Sequence, residues 1–333
     1  MRRELARAAN LMLARAGVRL VSVHDLYPWQ IAPSNSESSG NGPLPEGAAD
    51  YLRFDNPRLT ELVDRYSRCD AAVTSPAIWT EGTLTSSDLG YFRGDNPFVW
   101  QLRGLNYNAL TYAMSYCALK CGPCSDLLAA FAEDGLFGAH AFEIDGRLVT
   151  RDLVDSVREV DFIRTHVGLE GKAILDIGAG YGRLAHRLSE TGADLAVYAT
   201  DGYAPSTFLA EYYLRFRSAE RARAVPLDEV EKLLETTKID LATNVHSFSE
   251  CTPAAVSWWA SRLAKAKVPH LMVVPNGEHF DLSQPCRYNG GADMEATLGE
   301  CGYRPVAREL RYRDPAVQKY GVDPCQLVQF ELR

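Results

Sequence analysis

The first half of the chain carries helical spacing broken by turn-rich stretches. Residues 1–23 repeat apolar positions at helical intervals, Leu5, Met12 and Val18 among them, and predict one amphipathic helix. From Ser34 to Gly47 the run SNSESSGNGPLPEG has little to bury and reads as a flexible loop. Helical spacing returns from Asn56 to Arg68, where Pro57 suits a helix start, and again from Asn108 to Leu119 and Ser125 to Glu133. Between these, Trp79, Tyr91, Phe92, Phe98 and Trp100 crowd a segment full of turn residues. Such density serves either a cap over a pocket or plain packing. Asp145-Gly146 between two apolar runs predicts a hairpin over Ala141 to Arg151. A helix from Asp152 to Gly168 follows, with Asp152 as its N-cap.

After Gly171 the texture changes. Short apolar runs (AILDI, LAVYAT, ARAVP, DLATNV, HLMVVP) alternate with helical stretches, which is the pattern of βαβ units in a doubly wound parallel sheet. A helix over Ala292 to Glu300 then leads to two extended runs, RPVARELRYR and CQLVQFELR. They are joined by a loop alone, as an antiparallel pair at a sheet edge would be.

Composition narrows the partners. The 333 residues are 46% hydrophobic and 23% charged, enough for a sizeable core. A net charge of −8 argues against a binder of phosphate backbones, so no nucleic-acid partner is expected. The longest charge-free stretch, Gly104 to Leu119, is short for a membrane span and holds Asn106, Asn108, Thr111 and Ser115. No membrane partner is expected either. Eight cysteines are sparse for a disulfide scaffold, and Arg7 and Arg15 break any secretory apolar run. A cytoplasmic location is the expectation. Cys117, Cys121 and Cys124 spell C-x3-C-x2-C, but Gly122-Pro123 interrupts them, and buried thiols on a helix face are the plainer reading.

The most informative stretch is ILDIGAGYGRL, Ile174 to Leu184, where an apolar strand runs into Gly178, Gly180 and Gly182 before a helix opens. A dinucleotide fingerprint would ask for glycine at position 183, which is Arg. Asp176, on the strand itself, would repel a pyrophosphate and attract a cation. S-adenosylmethionine, with an ammonium, a sulfonium and no phosphate, fits that charge. Asp201 ends the next strand nineteen residues after the last glycine, where a carboxylate can accept both hydroxyls of a ribose.

With these residues the chain resembles the class I S-adenosylmethionine-dependent methyltransferases over about Asp152 to Arg333. DIGAGYGRL, NVHSFSE (Asn244 to Glu250) and VTRDLVDS look more narrowly like sugar O-methyltransferases of bacterial natural-product pathways. The resemblance implies an α/β, Rossmann-like sheet of seven strands, mostly parallel, with an antiparallel C-terminal hairpin. It implies a methyltransferase domain over residues 146–333, preceded by a mainly helical, substrate-covering region over 1–145. It places the methyl donor on Asp176, Gly178, Ala179, Gly180, Tyr181, Gly182, Asp201 and Gly202. Leu227 would pack on adenine, and Asn244 and Val245 would run beside the donor.

The implied reaction is methyl transfer to a sugar hydroxyl, free, nucleotide-linked or on a glycosylated metabolite. A general base assists such a poor nucleophile, and His246, at the carboxyl edge of the sheet with Glu250 four residues on, is the candidate. Its plainer reading is a histidine that caps a strand end. Arg151 is a candidate for the donor carboxylate, though an ion pair explains it equally. Tyr91, Arg93, Trp100, His279 and Asp281 are guesses for acceptor contacts. Magnesium is admitted but not favoured, and homo-oligomerisation stays open. Rival readings are methylation of a non-sugar small molecule, a donor-binding protein without turnover and, third, a dehydrogenase.

Overall fold

The computed structural model describes residues 42–74, 79, 82–99, 109–276, 293–323 and 325–333. The expected helix over 1–23, most of the loop over 34–47, and Trp100, His279 and Asp281 lie outside the described residues. The chain enters through α1 (Ala48–Tyr51), α2 (Pro57–Tyr66), α3 (Ala71–Thr74), α4 (Ser86–Gly90), α5 (Ala109–Lys120) and α6 (Ser125–Ala130). A hairpin of β1 (Ala141–Ile144) and β2 (Arg147–Thr150) turns at Asp145 and Gly146, both with positive φ. That is the backbone a two-residue hairpin turn requires.

From α7 (Arg151–His166) onward, strands and helices alternate: β3 (Lys172–Ile177), α8 (Arg183–Ser189), β4 (Leu195–Thr200), α9 (Ala204–Phe216) and β5 (Ala222–Ala224). Then come α10 (Val230–Thr236), β6 (Leu241–Val245), the one-turn α11 (Ser247–Glu250), α12 (Pro253–Lys265) and β7 (His270–Val274). The chain closes with α13 (Met294–Glu300), β8 (Tyr303–Leu310), α14 (Pro315–Tyr320) and β9 (Gln326–Leu332). The seven later strands form one sheet in the order β5-β4-β3-β6-β7-β9-β8. Strands β3 to β7 are parallel, β9 runs antiparallel to β7, and β8 runs antiparallel to β9. This is the expected Rossmann-like sheet.

Side-chain alternation builds a core on each face. Leu175 and Ile177 of β3, with Leu271 and Val273 of β7, face one layer holding Leu59, Phe208 and Trp259. Ile174, Met272 and Val274 face the other, with Val157, Val160 and Leu188. Central parallel strands buried on both faces are therefore apolar almost throughout. Burying each such side chain contributes about 1.5–3 kcal/mol. Helices from the first 145 residues lie in both layers: α2 packs on α9, and α5 packs on α7.

Three local expectations are corrected. Helix α6 ends at Ala130 because Phe131 turns extended, freeing Glu133 and Asp134 to meet buried arginines. Thr150, not Asp152, caps α7 by accepting from the Leu153 N–H at 3.2 Å, while Asp152 takes the Arg93 Nε at 2.6 Å. The connection from β8 to β9 is more than a loop, since Asp314 caps α14 within it.

Candidate active site

The order of strands reverses between β3 and β6, and ligands of open α/β sheets sit outside the strand ends at such a point. Gly178, Gly180 and Gly182 all take positive φ there, as the sequence reading requires. At Gly178 the close approach is severe: a Cβ would lie 2.2 Å from the Ser247 side chain, so the turn presses directly on α11. The Ala179 N–H holds the turn to Thr200 O at 3.0 Å.

Asp201 is built into the same turn. One carboxylate oxygen accepts from the Gly180 N–H at 3.0 Å, and the other accepts from the Tyr203 N–H at 2.8 Å. Asp176 is buried one strand away, with Thr243 Oγ1 donating to it at 2.7 Å. Among the described residues neither carboxylate has a salt-bridge partner, and burial pushes both up to about 7. Arg183, the nearest guanidinium in sequence, is taken by Glu159 at 2.8 Å. Two acids held at high energetic cost beside bare backbone favour a cationic ligand. The donor set therefore suits a sulfonium and ammonium and does not suit a pyrophosphate.

The end of β6 completes the edge. Asn244 is fully buried and is spent on the fold, donating to Ile177 O at 2.9 Å and accepting from the Phe248 N–H at 2.7 Å. Its side chain joins two strand ends, while Val245 ends the strand half-buried. Glu250 does not orient His246. Its oxygens accept from Trp79 Nε1 at 2.8 Å and Asn276 Nδ2 at 2.9 Å. The partners of His246 are Pro275 O, 3.2 Å from Nδ1, and Asp323, 3.2 Å from Nε2. Each ring nitrogen thus faces a protein acceptor, Nε2 without a hydrogen bond to it, and this geometry lends the reading of His246 as base no support. Trp79 packs on Phe98 and Tyr203, with ring centroids 5.1 and 5.5 Å away, and Phe98 lies against Gly180.

Several candidates are engaged within the fold. Arg151 is buried and pairs with Asp155 at 3.0 Å and Asp323 at 3.4 Å, so it is committed to an ion-pair network. Arg93 is completely buried, bridging Glu133 at 2.8 Å and Asp152 at 2.6 Å, and cannot touch an acceptor. Tyr91 packs against Gly138. The Tyr181 ring enters the core beside Phe92 and Tyr213. Leu227 is buried too, its N–H donating to the Tyr66 hydroxyl at 2.9 Å. Gly202 adjoins Asp201, and Val73 O would lie 2.4 Å from a Cβ there.

Residues the sequence reading missed are Asn276, Asp323 and the site role of Trp79. Asn276 follows β7 at the same carboxyl edge, a position that marks it in retrospect; Asp323 carries no sequence signal. No cluster of three or more metal-binding side chains occurs among the described residues. Among them, no helix is long and apolar enough to cross a membrane.

No family profile and no curated protein sequence matches the chain. Solved structures of similar shape include magnesium protoporphyrin IX methyltransferase from Synechocystis with bound S-adenosylhomocysteine. It is 19% identical, with a TM-score of 0.40, over 55% of this chain and 83% of that one. A SAM-dependent methyltransferase from Aquifex aeolicus is 17% identical, with a TM-score of 0.40, over 52% of this chain and 89% of that one. These likenesses add no weight to what the sheet itself shows.

Proposed function

We propose that the chain is an S-adenosylmethionine-dependent O-methyltransferase acting on a sugar hydroxyl. The observation that carries this is a pair of carboxylates, Asp176 and Asp201, without an ion-pair partner among the described residues and bracketing the glycine turn at the switch point. Asp201 would hold the ribose, and Asp176 with the turn would hold the methionine end. When bound, the donor supplies a methyl group on a positively charged sulfur. The chain's own task is to align the acceptor oxygen, exclude water and accept a proton. Residues before 146 would cover and select the acceptor, since Trp79 and Phe98 already reach Glu250 and Gly180. The sugar class rests on the likeness of the NVHSFSE and VTRDLVDS segments.

The test is incubation with labelled S-adenosylmethionine against nucleotide sugars, glycosylated metabolites and simple phenols, with and without a chelator. Label should pass to sugar acceptors. Transfer to phenols alone, or tight donor binding without transfer, would overturn the reading.

A further inference from the structure

Glu250 has the surroundings of a proton acceptor. It sits one helical turn beyond β6, and among the described residues each of its oxygens receives a single neutral donor, Trp79 Nε1 at 2.8 Å or Asn276 Nδ2 at 2.9 Å. A carboxylate oxygen has two lone pairs, so among the described residues each keeps one free. Among the described residues no cation pairs with Glu250, whereas the two ring nitrogens of His246 face Pro275 O and Asp323, each at 3.2 Å. The Trp79 ring ties Glu250 to the donor turn, packing on Phe98 over Gly180 and on Tyr203, whose N–H holds Asp201.

We infer that Glu250 takes the proton from the acceptor hydroxyl, with Trp79 and Asn276 as the positioning residues that aim it. This rests on the methyltransferase reading above. The acceptor O–H bond breaks with its proton passing to Glu250, and a bond forms from that oxygen to the methyl carbon. The methyl–sulfur bond breaks with its electron pair left on sulfur, which becomes a neutral thioether. The titratable groups facing Glu250 are Asp201, from beyond β4, and His246 and Cys251 on its own stretch of chain. Burial pushes the Glu250 carboxyl above the usual glutamate range, against the opposing pull of Trp79, His246 and Asn276.

The experiment compares the full-length chain with Glu250→Gln, His246→Asn and Trp79→Phe. S-adenosylhomocysteine binding is read by calorimetry, and turnover is read on nucleotide sugars and methyl glycosides across pH. Glu250→Gln should bind S-adenosylhomocysteine within about threefold of wild type yet lose about 10²- to 10⁴-fold in turnover, together with the acid limb of the profile. His246→Asn should keep that limb. Trp79→Phe, which removes a donor to the charged carboxylate, should move the limb to higher pH. Infrared difference spectra against Glu250→Gln should show one carboxyl titrating above the usual glutamate range, with no turnover needed. Near-normal turnover in Glu250→Gln, or an unmoved limb in Trp79→Phe, overturns the inference. So does S-adenosylhomocysteine binding with no sugar hydroxyl methylated. If wild type fails to bind S-adenosylhomocysteine, the methyltransferase reading falls first and this falls with it.

Discussion

His246 and Asp323 meet at 3.2 Å, and both hold left-handed backbone, with φ of +66° and +46°. Such strain in non-glycine residues persists only where the surroundings enforce it. Here Arg311, wholly buried, also reaches Asp323 at 3.1 Å, and Arg151 reaches it at 3.4 Å. Asp323→Asn leaves two buried guanidinium groups short of a charge and should destabilise the fold by about 3–5 kcal/mol. Burial opposes the Asp323 charge, but Arg151, Arg311 and His246 outweigh it and hold the carboxyl well below the ordinary range. Its contribution is therefore present above the unfolded value of about 4 and is lost as pH falls through the lower folded one. Thermal melts should show the gap between wild type and variant closing in acid. A gap independent of pH would deny the ion-pair account.

Donor affinity should rise with pH. Burial holds Asp176 and Asp201 up to about 7, so the free protein keeps protons that a cationic ligand must displace. Between pH 5.5 and 7, S-adenosylmethionine binding should tighten by about tenfold per unit while one carboxylate limits it. The free fold, binding protons its unfolded chain has released, should lose stability as pH climbs from about 4 to 7. Calorimetry and melting curves with and without donor check both. A flat affinity would mean these acids do not face the ligand.

Gly178→Ala should abolish donor binding and lower stability by about 1–3 kcal/mol. The added methyl would lie 2.2 Å from the Ser247 side chain on a backbone with φ of +67°. Accordingly α11 must move, and Glu250 with it. Unchanged S-adenosylhomocysteine binding by this variant would show that the turn is not the cradle.

Glu133 is the hub of a second buried cluster, taking Arg93 at 2.8 Å and Arg187 at 3.0 Å with almost no exposure. Burial raises its carboxyl, but the two arginines outweigh that and carry it far below the ordinary range. Glu133→Gln should cost about 3–5 kcal/mol in melting or denaturant titration without touching the donor site. A loss under about 1 kcal/mol would mean that the cluster is not held by charge.

What was legible in the sequence was whatever the chain builds locally. Asp176, the glycine turn and Asp201 belong to consecutive strand–turn–helix units, so their spacing carries their geometry. Arg93 shows the opposite case. It was read beside aromatic residues, and only the fold brings Glu133 and Asp152 to it, 40 and 59 residues away. Glu250 and Trp79 are 171 residues apart, and nothing near either one announces the other. His246 was correctly set at the strand end, but what its two nitrogens face, Pro275 and Asp323, is delivered by the chain from elsewhere.

The Val73 carbonyl presses on Gly202 so closely that a methyl group would sit 2.4 Å from it. The loop bearing Asp201 is thus moulded against a helix that lies far upstream. Trimming the chain to its alternating half would strip away one wall of that mould. Anyone moving this half into another chain would have to carry α3 along, because the loop that bears Asp201 takes its shape from both halves.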